Sequence, residues 1–221
     1  MIHVTDVWRQ AHPGASLGFM IVDQLRNDIP CTLLEETKEN LEKQLKSAFE
    51  SKEDLHGHFP LPLYIQYYKQ YKKTYHVLQQ LESIIFKGKT IPSVTPAVTA
   101  MFMAELKSGL LTAGHDYHAL QFPLTLDAAA GEETYLLING KQQEVKPLDM
   151  FLSDAAGVIS SIIHGPDFRT RILPETQKAA FVIYAPAGIP KDGILTHLSD
   201  IYKYICLASP DAKICHQAVY T

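Results

Sequence analysis

Ser153-Asp154-Ala155-Ala156-Gly157-Val158-Ile159-Ser160-Ser161-Ile162-Ile163-His164-Gly165-Pro166 begins the most informative stretch of the chain, and Asp167-Phe168-Arg169-Thr170-Arg171-Ile172-Leu173-Pro174-Glu175-Thr176-Gln177 completes it. Residues 158–163 have the apolar, β-branched texture of a strand, and Phe181-Val182-Ile183 marks a second strand beyond the polar part. Between them stand an aspartate, a histidine, two arginines and two threonines. Two strands joined by such a loop hold hydrogen-bonding groups on a rigid sheet, which is one way to wall a pocket.

Working outward, short β-like runs at 122–126, 134–138 and 149–153 are punctuated by glycines, and Asn139-Gly140 reads as a two-residue hairpin turn. The segment 17–22, apolar throughout, is a further buried strand. Elsewhere the period is helical. Leu34, Leu41, Leu45, Ala48 and Phe49 predict an amphipathic helix over 34–55, closed by the Gly and Pro of 57–62. Residues 64–89 predict a second helical stretch interrupted near Thr74. Its tyrosines fall three or four apart with lysines between them, as in a core face beside a solvated one; stacking on nucleobases is the alternative. Helices over 97–108 and 193–208 complete the set. Helices thus bracket a strand-rich middle, and the class is α+β.

The 221 residues are 46% hydrophobic, enough for a packed core. Twenty Lys and Arg against 24 Asp and Glu give a net charge of −4, which excludes a globally basic nucleic-acid binder but not a local patch. Three cysteines without C-x-x-C spacing offer neither a disulfide framework nor a thiolate metal anchor. The opening residues lack the pattern of a secretory signal, and no apolar run is long enough to span a membrane, so a cytoplasmic setting is expected. The close histidine pairs, His56 with His58 and His115 with His118, have no third partner at ligand spacing and read as loop histidines. No cofactor or metal is expected. Phosphate-binding loops, nucleophile elbows and dinucleotide fingerprints are missing, so nucleotide hydrolysis and hydride transfer have no support.

Five motifs recur in a telling order over 87–184: Thr95-Pro96-Ala97-Val98-Thr99, Leu111-Thr112-Ala113-Gly114-His115-Asp116, Asn139-Gly140, Ser153-Asp154 and Glu175-Thr176-Gln177. In order and spacing the chain resembles the central B3/B4 domain of the phenylalanyl-tRNA synthetase beta subunit and its free-standing relatives. The resemblance implies one domain over 1–221: an integral N-terminal strand and helices over 1–86, the core over 87–184, and a C-terminal helix and tail over 185–221. It implies a tRNA-binding module that hydrolyses mischarged aminoacyl-tRNA in trans, or a binding module without chemistry for RNA or an amino-acid-like ligand. A second site of this kind is needed because a hydrophobic pocket rejects an added hydroxyl poorly.

The resemblance also assigns residues. The pocket lies between the loop 113–116 and the hairpin 154–176, with His115 orienting or activating a water or binding the polar group of the substrate, and Thr176 lining the wall, as catalytic residues. Ala113, Asp116, Ala156, His164, Gly165 and Arg169 bind the substrate. Ala113 and Ala156 replace a histidine and a glutamate of the family pattern, so the pocket is wider and takes another aminoacyl group or has ceased to hydrolyse. Lys69, Lys72, Lys73, Lys87 and Lys89 form the expected RNA patch. Neither DNA nor a membrane is expected as a partner.

Overall fold

The structure is a computed structural model that describes residues 2–221. Strand β1 (Ile2–Val4) and helix α1 (Asp6–Ala11) lead into β2 (Ser16–Asp23), and five helices follow: α2 (Thr32–Ala48), α3 (Lys52–Gly57), α4 (Leu61–Gln70), α5 (His76–Lys87) and α6 (Pro96–Ser108). Next come β3 (Leu111–Asp116), β4 (Leu124–Ala128), β5 (Thr134–Leu136), β6 (Gln142–Glu144), β7 (Met150–Asp154), β8 (Gly157–Ser161), β9 (Gly165–Pro166) and β10 (Lys178–Ala185). Helix α7 (Lys191–Ala208) and strand β11 (Lys213–Tyr220) close the chain. The class is α+β, as the alternation of patterns indicates.

Two sheets carry the fold. One runs β1-β4-β7-β8-β9 and the other β11-β2-β10-β3, with β5 and β6 forming a separate hairpin. Strand β2 lies inside the four-stranded sheet with all of its central residues buried, which is why its sequence is an unbroken apolar run rather than an alternation. Helix α7 packs on this sheet at Gly18, where a Cβ would stand 2.5 Å from Ile194 Cγ2. The main apolar cluster extends from Ile2 to Ala212, and a smaller one gathers Ala129, Tyr135, Val145, Phe151 and Val158.

Local chemistry explains the helix limits. The expected helix over 34–55 is two, because Ser51 accepts from the Asp54 N–H at 3.1 Å and starts α3 afresh. The tyrosine-rich stretch divides at 71–75, where Lys72 adopts a left-handed φ of 55°. Its tyrosines are core: Tyr64 and Tyr75 stack with ring centroids 4.5 Å apart, and Tyr64 Oη donates to the Tyr184 carbonyl at 2.5 Å. Asn27 ties the start of α6 to the polar segment. Its Oδ1 accepts from the Ala97 N–H at 2.8 Å, and its Nδ2 donates to the Leu173 carbonyl at 2.6 Å.

Three local expectations are corrected. Residues 111–116 are not a loop but the edge strand β3, paired antiparallel with β10. Strands β8 and β10 do not form one hairpin; they belong to different sheets, so the polar segment bridges the two layers. The Asn139-Gly140 turn is a three-residue loop: Leu137 N–H donates to the Lys141 carbonyl at 2.9 Å, and only Gly140, at φ 78°, takes the left-handed conformation. That geometry is a type I turn closed by a left-handed glycine, and it lifts Ile138 out of the strand.

Candidate functional site

A cavity of about 330 Å³ opens between the two sheets. Helices α5 and α6 supply His76, Met101 and Glu105, β3 supplies 111–114, β8 and β9 supply Ser161, Gly165 and Pro166, and β10 supplies Tyr184. Its wall is mostly apolar. Val94 and Ile138 also line it yet are 60% and 50% exposed, which places them at the mouth. Arg171 lines it too, with its guanidinium 3.6 Å from the centre of the Phe168 ring and donating to the Phe168 carbonyl. Gly114 is pinched between neighbours; a Cβ there would stand 2.8 Å from Ile172 Cδ1 and 3.1 Å from Met101 Sδ.

Of the eight residues assigned to catalysis and substrate from sequence, Ala113 and Gly165 line this cavity. The other six are held elsewhere. His115 is fully buried, with Nδ1 2.7 Å from Thr170 Oγ1 and Nε2 3.3 Å from Ser160 Oγ. Burial pushes its pKa down to about 3, so the ring is neutral. The chain of polar groups continues on both sides. Thr170 donates to Asp167, and Ser160 Oγ lies 2.8 Å from the hydroxyl of Tyr184, a residue of the cavity wall. His115 therefore reaches the cavity only through two other side chains.

Thr176 and Asp116 hold each other: Thr176 Oγ1 donates to Asp116 Oδ2 at 2.6 Å and accepts from the Leu173 N–H at 3.0 Å. Asp116 Oδ1 accepts from the His118 N–H at 2.8 Å, capping the turn after β3. Arg169 grips Asp154 with two contacts of 2.8 Å. Ala156 and Arg169 share a separate surface hollow with Tyr135 and Phe168. His164 is half-buried, and burial together with the charges of Lys73 and Lys146 lowers its pKa to about 4.

The five expected RNA-binding lysines are all exposed but do not form one patch. Lys69, Lys72 and Lys73 precede α5, and Lys87 and Lys89 end it, so a twelve-residue helix of about 18 Å separates the groups. A groove lined by Gln79, Ser83 and Lys89 runs beside α5 and shares His76 and Gln80 with the cavity. Among the described residues no helix is long and apolar enough to cross a membrane.

The residue missed from sequence is Glu105. It is buried in the cavity wall, and burial raises its pKa to about 8. Oε1 accepts from the Thr112 N–H at 2.7 Å, and among the described residues nothing bonds to Oε2. On sequence it is one polar position on an apolar helix face; only the return of β3 across α6 shows that it faces inward.

No family model matches the chain, and no curated protein does. Among solved structures the chain is similar to an N-terminal fragment of the phenylalanyl-tRNA synthetase beta subunit from Pyrococcus horikoshii, with a TM-score of 0.52 and 12% identity. The match covers 99% of this chain and 53% of that one, so the chain spans about half the length of the fragment. At that identity the likeness is one of fold alone.

Proposed function

We propose that this chain binds an aminoacyl-sized group in the cavity, and that the group arrives on the 3′ end of a tRNA. The observation that carries the reading is the cavity itself, closed on its inner side, apolar, and open at Val94 and Ile138. The groove that shares His76 and Gln80 with it supports a polymer leading away from the mouth towards Lys89. On this reading residues 1–221 form one B3/B4-type unit working in the cytoplasm. Lys89, which lines that groove, is the first phosphate contact on this reading, with Lys87, Lys69, Lys72 and Lys73 as further ones. Ala113 and Gly165 touch the aminoacyl group. Asp116, Thr176, Asp154 and Arg169 hold the wall in place rather than the ligand.

Hydrolysis of the ester in trans is the second reading, favoured by one observation: Ser160 and Tyr184 connect His115 to the cavity. His115 would then be a positioning residue.

The test compares charged and uncharged tRNA across a panel of amino acids, by equilibrium binding at several salt concentrations and by release of the amino acid. Charged tRNA should bind at least tenfold more tightly than uncharged. Ala113→Leu, which fills the cavity, should erase that preference while leaving uncharged tRNA unaffected. Replacing Lys87 and Lys89 together should lower the salt slope by about two. Equal binding of charged and uncharged tRNA would overturn the reading. Release at the buffer rate for every amino acid would leave binding without hydrolysis.

A further inference from the structure

Glu105 is the only acidic residue that lines the cavity among the described residues, and Arg171 the only strong base. The two differ in how they are occupied. Arg171 already donates to the Phe168 carbonyl and lies against the Phe168 ring. Glu105 is 2% exposed, well inside the mouth marked by Val94 and Ile138, and half of its carboxyl is unused. Its free oxygen borders the cavity space, where a bound group can reach it.

We propose that Glu105 selects the ligand, donating from Oε2–H to an acceptor oxygen (a carbonyl, ether or amide) at the inner end of an otherwise apolar group. This rests on the reading that the cavity is a ligand site, and it adds the substrate class.

The direction of the hydrogen bond follows from geometry. Oε1 accepts a backbone N–H, which fixes it as the carbonyl-like oxygen. A proton on the carboxyl therefore resides on Oε2, the atom without a partner. The one strong cation on the wall, Arg171, is held over the Phe168 ring, and the other neighbours supply no charge that would remove the proton. His76, across on α5, lies 3.1 Å from Tyr68 Oη and is held neutral by burial, its pKa down at about 4. His197, which meets Thr112 Oγ1 at 2.6 Å, is likewise buried with a pKa of about 4. The phenols of Tyr64, Tyr68 and Tyr75 pack behind Glu105, and burial raises all three. Lys107, on the same helix, is paired with Asp200 at 2.8 Å and is half-exposed. Burial accordingly raises the Glu105 carboxyl to about 8, and it is neutral at pH 7. A cationic ligand would have to ionise it and bury an ion pair in an apolar cavity, at a desolvation penalty that an acceptor oxygen avoids.

Three probes of nearly equal size separate the cases: acetophenone, with an acceptor oxygen; cumene, with none; and 1-phenylethylamine, a cation. Their binding to the intact chain is measured by ligand-observed NMR between pH 6 and 9.5, with saturation transfer locating them in the cavity. At pH 6.5 acetophenone should bind about tenfold more tightly than cumene, the equivalent of about 1.4 kcal/mol. The advantage should vanish by pH 9.5, where Oε2 has lost its proton. Glu105→Gln keeps an acceptor for Thr112 and a donor for the ligand at any pH, so its advantage should persist at pH 9.5. That loss and rescue would not follow from a merely structural glutamate. Equal binding of acetophenone and cumene, a pH-independent advantage in the native chain, or a preference for 1-phenylethylamine that grows with pH would each overturn the proposal while leaving the cavity a ligand site. Failure of all three probes to enter the cavity would overturn both.

Discussion

The two sides of β3 treat buried polar groups in opposite ways. Behind the cavity, along the segment that joins the sheets, the polar side chains are matched, His164 Nε2 excepted. Asp167, Thr170, His115, Ser160 and Tyr184 form a continuous chain, Thr176 is locked to Asp116, and Asp154 is gripped by Arg169. In the cavity, Glu105 keeps an oxygen without a partner against an apolar wall. The contrast separates residues that hold a fold from residues that await a ligand more sharply than residue type does. A histidine and a threonine are obvious candidates for chemistry, yet here their bonding capacity is spent inside the protein. A glutamate on an apolar helix face attracts no notice, yet it is the group left free.

Removing Asp154 should do the most damage. Its two oxygens accept from the Gln121 and Ala156 N–H groups at 2.8 and 2.9 Å and from Arg169 twice. Asp154→Ala strands these donors at once. Because Arg169 can be rehydrated, the expected loss is at the low end for a broken buried pair, about 3 kcal/mol. Denaturant unfolding measures it. A loss under about 1 kcal/mol would show that the matched network is not what holds the segment, and the comparison would fail.

The unequal legibility of the two sides has a physical cause. Strand β2 and helices α6 and α7 are readable because their burial is written in local period: an unbroken apolar run, and apolar stripes such as Ile194, Leu198, Ile201 and Ile205. Strand β3 is not, since Gly114, His115 and Asp116 carry turn-like chemistry. It is a strand because β10, more than sixty residues away, pairs with it. The burial of His115 depends on Thr170 and Ser160, and that of Glu105 on Thr112 crossing α6. Strand β11 shows no strong alternation because it is a mostly solvated edge. Motif order points to the right region, but which side chains face the cavity is set by pairings between distant segments.

The two sides should also part on pH. His115 is depressed to about 3 in the fold from a usual 6.5, so between those values the unfolded chain binds the extra proton. Stability from the matched side is therefore lost as pH falls below about 6.5. Glu105 and Asp149 behave inversely: burial raises them to about 8 and about 7, so the folded chain holds the extra proton and stability is lost as pH rises through those values. Between pH 7.5 and 9 the buried histidines are essentially neutral in both states, which leaves that limb to the carboxyls, Glu105 above all. A loss of about 1 kcal/mol from pH 7.5 to 9 is expected, at up to about 1.4 kcal/mol per pH unit for a group still protonated in the fold. Glu105→Gln should flatten the upper part of this limb and leave the acid limb unchanged. Unfolding curves at half-unit pH intervals give the answer, and a profile flat from 7.5 to 9 in the native chain would contradict the burial of Glu105.

The smallest effect on stability should come from the wall itself. Gly114→Ala asks for no forbidden backbone angle, and the atoms its Cβ would meet, Ile172 Cδ1 and Met101 Sδ, are the ends of flexible side chains. Both side chains line the cavity, so they can yield into it. The expected cost is below about 1 kcal/mol, well under that of Asp154→Ala. Binding should respond differently, because every ångström by which Ile172 and Met101 give way is taken from the ligand. A wall that yields should show this split: unfolding nearly unchanged, acetophenone affinity reduced severalfold. If Gly114→Ala instead unfolds the chain as readily as Asp154→Ala, the cavity side is as rigidly packed as the matched network. The room in it would then be a consequence of packing rather than a site kept open for a ligand.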